Sequence, residues 1–237
     1  VEVLERELAP GDTRVEAEVK IDQPRLWELN DPFLYRVTAR VGDDSCSVRC
    51  GFREFQFENG FFRLNGRRLF LRSTHTCNHF PIGLKLPPDP DMARRDLLDL
   101  KVMGFNMIRF IWGGAERSQL DLCDEIGLMV YEESFASWGM QDSPQLAARW
   151  ERSLSELIRR DRNHPSVVIW GLLNEVRDTP HFRLAAASLP LIRQLDETRM
   201  VFLNSGRWDL AGVQDEVFSK LDIWHSPAGR EPWATLN

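Results

Sequence analysis

The sequence predicts two structural parts, a β-sandwich over residues 1–57 and a parallel α/β domain over residues 58–237. Three observations support this division. Apolar and polar residues alternate near the N-terminus, which is the period of a half-buried strand. Further on, strand-like apolar runs alternate with helical stretches, which is typical of a parallel sheet covered by helices. One of these runs, from Val167 to Trp170, is apolar throughout, as in a strand that is buried on both faces.

Strands dominate the first part. Residues 15–21 alternate apolar with charged side chains, and residues 34–41 repeat the alternation before a turn at Gly42. A third run covers residues 45–49. Three or four strands separated by turns indicate part of a β-sandwich.

Two Asn-Gly pairs, Asn59-Gly60 and Asn65-Gly66, mark the passage into the second part. Both residue types accept a positive φ, so the pair is a strong hairpin signal. The first pair predicts a hairpin over residues 55–64. The second predicts a turn into residues 68–72, the expected first strand of the α/β domain.

The remaining sequence predicts alternating helices and strands. The predicted helices cover residues 91–103, 120–126, 146–160 and 182–196, the last kinked near Pro190, and the predicted strands cover residues 105–111, 128–131, 167–170, 200–203 and 221–225. About six strands fit an incomplete TIM-type (β/α)8 barrel, because a whole barrel takes about 250 residues. We therefore expect a fragment of a longer protein.

The composition is ordinary for a globular protein, with 28% charged residues and a net charge of −6. This balance offers no basic surface to nucleic acid or to a membrane, and no apolar run is long enough to span a bilayer. The spacing of the four cysteines fits neither a zinc site nor a disulfide framework, so we expect reduced thiols. Neither a metal nor an organic cofactor is expected, and a homo-oligomer is possible. No signal peptide is visible at Val1, which leaves a cytoplasmic, secreted or periplasmic location open.

An amide beside a carboxylic acid, Asn174-Glu175, follows the apolar strand. His164-Pro165 closes the preceding helix, because a residue before proline is pushed out of the helical region. In a (β/α) barrel the carboxyl ends of the strands form the catalytic face. Both residues are therefore candidate site residues, although an Asn-Glu pair taken alone is more often a cap with a solvated charge.

The run RDRNHPSVVIW at residues 160–170, followed by Asn174-Glu175, resembles the signature of glycoside hydrolase family 2, which includes β-galactosidases, β-glucuronidases and β-mannosidases. Residues 26–35 and 51–54 resemble a segment of the family's immunoglobulin-like domain and its exit. The resemblance implies an immunoglobulin-like sandwich followed by a catalytic barrel. It implies that Glu175 is the general acid/base and that Asn174 binds the sugar hydroxyl next to the anomeric carbon.

Other strand ends also resemble the family's site. Residues 104–109 resemble its "G.N..R" motif, so Arg109 is expected to orient a catalytic carboxylate, with a structural salt bridge as the alternative. Trp112 is either an aromatic platform for a sugar or a core residue. Glu133 matches an acidic position of the family, and two adjacent carboxylates on a strand cannot both face one pocket. The other candidate substrate-binding residues are His75, His79, Asn204, Trp224 and His225.

The resemblance implies a retaining exo-β-glycosidase that hydrolyses terminal β-linked sugars of a carbohydrate substrate by double displacement. Such an enzyme needs a second carboxylate, the nucleophile, about 5 Å from the acid. Glu216 and Glu231 do not follow an apolar strand, so we expect the nucleophile to lie outside this chain. The alternative is a non-catalytic carbohydrate-binding or scaffold fragment.

Overall fold

A computed structural model describes residues 7, 10–78, 80, 83–84, 89–137, 139–176 and 179–205, together with the backbone of residues 224–225 and 232–233. In chain order its elements are β1 (Tyr35–Val41), β2 (Asp44–Cys50), β3 (Phe55–Glu58), β4 (Phe61–Leu64), β5 (Arg67–Leu69), β6 (Ser73–Thr76), α1 (Pro90–Val102), β7 (Met107–Phe110), α2 (Arg117–Ile126), β8 (Met129–Glu133), α3 (Leu146–Asp161), β9 (Val167–Leu173), α4 (Pro180–Ala187), α5 (Leu189–Leu195), β10 (Met200–Asn204), β11 (Trp224–His225) and β12 (Pro232–Trp233).

One sheet organises the molecule. Strands β6, β7, β8, β9 and β10 are parallel and lie side by side in sequence order, and β11 and β12 continue the sheet in antiparallel pairing. A helix follows each of β6 to β9 in the chain, which is the crossover that parallel neighbours require. Because the parallel strands share one direction, all their carboxyl ends meet at one edge of the sheet.

The core lies on both faces of this sheet. Every residue of β9 is buried, as its continuous apolar sequence predicts. Helix α3 packs against the outer face through Trp150, Leu154 and Ile158, which lie on one side at helical spacing. Trp170 is also core, and its indole donates to Asp196 at 2.7 Å.

The four predicted helical segments are confirmed, and their ends differ from the predicted ends by at most a few residues. The predicted kink near Pro190 is a break between α4 and α5. The hairpin at residues 55–64 is also confirmed, since β3 pairs antiparallel with β4. Asn59 and Asn65 adopt a φ of 51°, the conformation for which the Asn-Gly pairs were interpreted as turns.

The predicted strand at residues 15–21 is wrong. This segment is exposed and irregular, and no described strand lies beside it. Alternating side chains make a strand only when a neighbour satisfies the backbone groups. Of the predicted sandwich, the structure holds the two-stranded antiparallel sheet β1–β2.

Two further strand predictions are corrected. Residues 67–69 extend the hairpin as β5, antiparallel to β4, and the parallel sheet begins only at β6. The predicted sixth strand at residues 221–225 is represented by β11, which runs antiparallel to β10 and therefore does not continue the parallel series. Pattern alone marks an extended segment but not the partner with which it pairs.

The N-terminal part packs against the amino ends of the parallel strands. The Trp27 indole donates to the carbonyl of Asp124 at 2.8 Å, and Arg49 pairs with Asp121 at 2.8 Å. Arg53 donates to the carbonyl of Val167 at 2.7 Å. This seam leaves the carboxyl ends of the strands uncovered by the N-terminal part.

All four cysteines are free thiols, as predicted. Among the described residues, no helix has the length and apolar character needed to cross a membrane.

Candidate active site

The register of the parallel strands brings polar side chains together at their carboxyl ends. His75 pairs in register with Arg109, and Arg109 with Tyr131. Glu133 follows two residues after Tyr131 and therefore points to the same face. These side chains come from β6, β7 and β8, so the face is assembled from separate crossover units.

An ion pair between Arg109 and Glu133 forms the centre of this face. The guanidinium contacts one carboxylate oxygen, Oε2, from Nε at 2.9 Å and from Nη2 at 2.5 Å. The Glu133 side chain is fully buried, whereas 17% of the Arg109 side chain is exposed. Burial raises the pKa of Glu133, and the adjacent guanidinium opposes that rise.

Asn174 joins the same network from the end of β9. Its Oδ1 accepts from Arg109 Nη2 at 2.8 Å and from the hydroxyl of Ser205 at 2.9 Å. Arg109 Nη2 also donates to the Ser205 hydroxyl at 2.8 Å. A guanidinium can only donate, so the oxygen of the Asn174 amide must face it, and the Nδ2 group with its two donors must face away.

Glu175 occupies a special backbone conformation beside this network. It is half-buried and adopts a φ of 54°, in the left-handed region that few residues other than glycine occupy. Such a conformation costs about 1–3 kcal/mol and persists where the surroundings impose it.

Asn204, at the end of β10, holds the backbone of the residue that follows Glu175. Its amide accepts from the backbone N–H of Val176 at 3.1 Å and donates to the carbonyl of the same residue at 2.8 Å. Asn204 is fully buried. Because both polar groups of Val176 are held, the backbone next to Glu175 is fixed.

A close approach of Tyr131 to β9 shapes the floor of the face. A Cβ atom on Gly171 would lie 2.1 Å from the Tyr131 ring, so only glycine fits at this position. The Arg109 guanidinium lies 5.0 Å from the centre of the same ring, within cation–π distance.

Trp112 lies at the rim, with half of its surface exposed. Its backbone N–H donates to Glu133 Oε1 at 3.2 Å. Glu132 points to the opposite face of β8, where it is buried and Ala115 donates to it at 3.1 Å. The interpretation that only Glu133 of the two carboxylates faces the strand-end network agrees with this geometry.

The structure brings together Arg109, Glu133, Asn174 and Trp112, and it places exposed His75 on the same face. The side-chain amide of Asn204 binds both polar groups of the Val176 backbone, next to Glu175. The predicted contacts of three other residues lie outside what the structure describes: His79 is outside the described residues, and only the backbone of Trp224 and His225 is described.

Sequence reasoning missed Ser205, Tyr131 and Gly171. Ser205 lies two residues after the predicted strand 200–203, so the rule that selected Asn204 also extends to it. Gly171 interrupts an otherwise bulky buried strand, which is a signal of close approach. Nothing local to Tyr131 distinguishes it from a core residue.

The amino ends of the strands carry a different set of polar residues. Ligand atoms of Asp121, Asp124 and His164 lie within 4.8 Å of one another. However, Nδ1 of His164 and Oδ2 of Asp124 share a hydrogen bond of 2.6 Å, and the backbone N–H of Ser166 donates to Oδ1 of Asp124 at 3.0 Å. A cleft of about 570 Å³ lies nearby, lined by residues that include Arg53, Pro165 and Arg199. These groups hold the seam with the N-terminal part.

The fold places a polar network at the carboxyl ends of parallel strands, and comparison with known proteins identifies the family. Residues 55–225 match "Glycosyl hydrolases family 2, TIM barrel domain", and residues 3–53 match "Glycosyl hydrolases family 2". The chain belongs to glycoside hydrolase family 2.

Three relatives illustrate the likeness. β-Galactosidase 2 of Enterobacter cloacae is 32% identical over 91% of this chain and 22% of its own length. The crystal structure of the β-glucuronidase of Parabacteroides merdae has a TM-score of 0.67 and 34% identity, covering 76% of this chain and 24% of that protein. A structure of β-glucuronidase 2 of Bacteroides uniformis, covalently bound to cyclophellitol-6-carboxylate aziridine, has a TM-score of 0.66 and 31% identity, covering 76% and 24%. The chain thus spans about a quarter of the length of these relatives.

Proposed function

We propose that the chain is the acid/base half of a retaining exo-β-glycosidase that removes terminal β-linked sugars. The observation that carries the proposal is the position of Asn174-Glu175 at the carboxyl end of β9, where Asn174 accepts a hydrogen bond from Arg109 and Arg109 pairs with Glu133. Carboxyl ends of parallel strands are where TIM-barrel enzymes place their chemistry.

Glu175 is the proton donor in this proposal. It protonates the glycosidic oxygen as the bond breaks and later removes a proton from the attacking water. The held backbone at Val176 limits the positions that the Glu175 side chain can reach. This matters because an acid must meet the leaving oxygen within hydrogen-bond distance.

Asn174 binds the hydroxyl next to the anomeric carbon. Its oxygen is engaged by Arg109 and Ser205, so the two Nδ2 donors remain for the sugar. A bond of this kind that strengthens as positive charge develops at the anomeric carbon stabilises the transition state.

A second carboxylate, the nucleophile, is supplied by sequence outside this chain. Three observations support this part of the proposal. The chain covers about a quarter of its relatives, and one relative forms a covalent complex with a sugar-like aziridine. In the described residues, Arg109 Nη1 donates no hydrogen bond, so it offers a donor by which a further carboxylate can be oriented.

The strands before residue 57 belong, in this proposal, to an immunoglobulin-like domain that precedes an incomplete barrel at residues 58–237. The two family matches, which meet between residues 53 and 55, support this boundary. A carbohydrate is the expected partner, and a homo-oligomer stays a prediction.

The test is Glu175→Gln in the full-length natural protein, assayed with a panel of aryl β-glycosides that includes galactosides, glucuronides and mannosides. Turnover of unactivated substrates should be lost, and azide should restore turnover of activated aryl substrates as the β-glycosyl azide. Glu197→Gln, which alters another carboxyl group outside the strand-end network, is the control. Unchanged turnover by Glu175→Gln rejects the assignment, and a wild-type protein that binds these sugars without cleaving them supports the non-catalytic alternative.

A further inference from the structure

The loop between β7 and α2 has an unusual backbone. Three consecutive residues have a positive φ: Trp112 at 53°, Gly113 at 142° and Gly114 at 68°. An aromatic residue in the left-handed region is uncommon and strained. The loop therefore needs external contacts that impose its shape, and it carries the half-exposed Trp112 indole.

Two adjacent carboxylates hold this loop from opposite faces of the sheet. On the inner face, Glu133 Oε1 accepts from the N–H of Trp112 at 3.2 Å. On the outer face, Glu132 Oε1 accepts from the N–H of Ala115 at 3.1 Å. The points of attachment are three residues apart, so they fix both sides of the turn that contains Gly113 and Gly114.

Arg160 of α3 completes the outer attachment. Its Nη2 donates to the carbonyl of Ala115 at 2.8 Å and lies 3.4 Å from Glu132 Oε1. Asp161 fixes the same guanidinium through two contacts of 2.7 Å. Both backbone groups of Ala115 are therefore bound by side chains that have no part in the strand-end network.

The loop also lies against Glu132 too closely for a larger residue. A Cβ atom on Gly114 would be 3.2 Å from Glu132 Oε1 and 3.5 Å from Leu157. Glu132 is fully buried, and its second oxygen has no hydrogen-bond partner in the described part of the chain. A buried and half-satisfied carboxyl group is costly, which indicates that it is kept for what it holds.

We propose that Glu132, with Arg160, is a positioning residue for substrate binding. The pair sets the loop so that the Trp112 indole stands at the rim as a stacking platform for the apolar face of a substrate ring. This inference rests on the proposed function, because a platform serves only where a sugar binds, and it adds residues that lie outside the barrel face.

The first test observes the loop without any substrate. The full-length protein is labelled with 5-fluorotryptophan, and the Trp112 resonance in the ¹⁹F NMR spectrum is assigned from Trp112→Phe. Glu132→Leu should shift and broaden this resonance, whereas Glu132→Gln, which keeps the accepting oxygen, should leave it in place. Arg160→Gln is the second variant and should change the resonance in the same way if Glu132→Leu does not fold.

The control is Asp196→Asn, which alters another buried carboxylate near the amino end of the sheet. It should leave the Trp112 resonance unchanged. An unchanged resonance in the Glu132→Leu and Arg160→Gln variants, or an equal change in Asp196→Asn, would overturn the proposal.

The second test is a double-mutant cycle on hydrolysis. Trp112→Ala and Glu132→Leu should each raise KM by roughly two- to tenfold, the range of a lost aromatic contact, with kcat nearly constant. The double variant should resemble Trp112→Ala alone, because the two residues act through one contact. Additive effects with normal wild-type activity would reject this inference alone, whereas an inactive wild-type protein would reject the proposed function and leave the NMR result to decide the positioning role.

Discussion

Both ends of the parallel sheet carry a buried arginine network, and the two networks use their donors differently. At the amino end, Arg199 is 4% exposed and binds mostly backbone: Nε and Nη2 donate to the carbonyls of Val167, Arg162 and His164, while Nη1 donates to Asp196 and Thr198. At the carboxyl end, Arg109 donates, among the described residues, only to the side chains of Glu133, Asn174 and Ser205.

This difference separates a structural network from a candidate catalytic one. The backbone acceptors of Arg199 belong to the start of β9 and to the loop before it, so Arg199 ties this loop to the end of the sheet. Side-chain acceptors can exchange one partner for another when a ligand arrives. A guanidinium group therefore stabilises the amino end of the sheet at Arg199, and at Arg109 it leaves the carboxyl end able to respond to a substrate.

The largest effect is expected from a change in the network at the amino end of the sheet. Arg199→Leu should lower the free energy of unfolding by about 3–5 kcal/mol, because it leaves the buried Asp196 carboxylate without its charge partner and removes the donor to the carbonyls of Arg162 and His164. Denaturant unfolding followed by circular dichroism measures the change. Arg152→Ala, which breaks an exposed pair with Glu156, should change the same quantity by less than about 0.5 kcal/mol; equal losses would remove the distinction.

Arg109→Met tests the network at the carboxyl end of the sheet. It should lower kcat/KM by about 10²–10³-fold, as the loss of a preorganised charge in an active site does. The stability loss should be smaller than for Arg199→Leu, since Glu133 can take up a proton when its partner is gone and burial already raises its pKa. Steady-state kinetics and unfolding of the same preparation give both numbers, and full activity would exclude Arg109 from the site.

Asn204→Leu tests whether the backbone at Val176 positions the proton donor. The variant should lower kcat by up to about 10²-fold, the cost of a small misplacement of a catalytic group, and should leave KM nearly unchanged. Asn163→Leu, which makes the same change at an exposed position before the amino end of β9, is the control. A rise in KM at constant kcat would instead support the earlier interpretation of Asn204 as a sugar ligand.

The smallest effect concerns pH. Burial, together with the nearby Asp161 carboxylate, raises the pKa of Glu132 well above its usual range. The folded state thus binds this proton more tightly than the unfolded state, whose glutamate pKa is about 4.3. The stability from Glu132 is complete below that value and is lost as pH rises through the raised pKa.

Thermal unfolding as a function of pH measures this contribution. The Tm of the wild type should fall as pH rises through the raised pKa, and Glu132→Gln should flatten that fall by a few degrees, since about 1 kcal/mol corresponds to 2–4 °C in a domain of this size. Parallel curves for the two proteins would show that Glu132 does not titrate in this way.

Local sequence signals predicted most of the fold. Helices α1 and α2 end shortly before Gly104 and Gly127, which both have a positive φ. These helix ends, the Asn-Gly turns and the wholly apolar β9 each follow from short-range chemistry. The pairing of the strands did not follow from these short-range signals. Residues 68–69 and 224–225 are strands within the predicted segments 68–72 and 221–225, but the strand with which each pairs depends on residues far away in the sequence.

The candidate site shows the same division. Asn174, Arg109 and Glu133 each stand at a strand end, so one rule of parallel sheets placed them together. The hydrogen bonds that hold the backbone around the site could not be predicted. The bonds of Asn204 to Val176 and of Glu132 to Ala115 depend on which backbone groups the loops leave without partners. Such groups become visible only when the loops are seen.

The most direct measurement of the central claim is the dependence of Glu175→Gln activity on the leaving group. If Glu175 donates the proton, kcat/KM of the variant should stay close to wild type for dinitrophenyl β-glycosides and should fall progressively more as the pKa of the leaving alcohol rises. An equal loss for every leaving group, or no loss for any, would contradict a proton donor at the carboxyl end of β9.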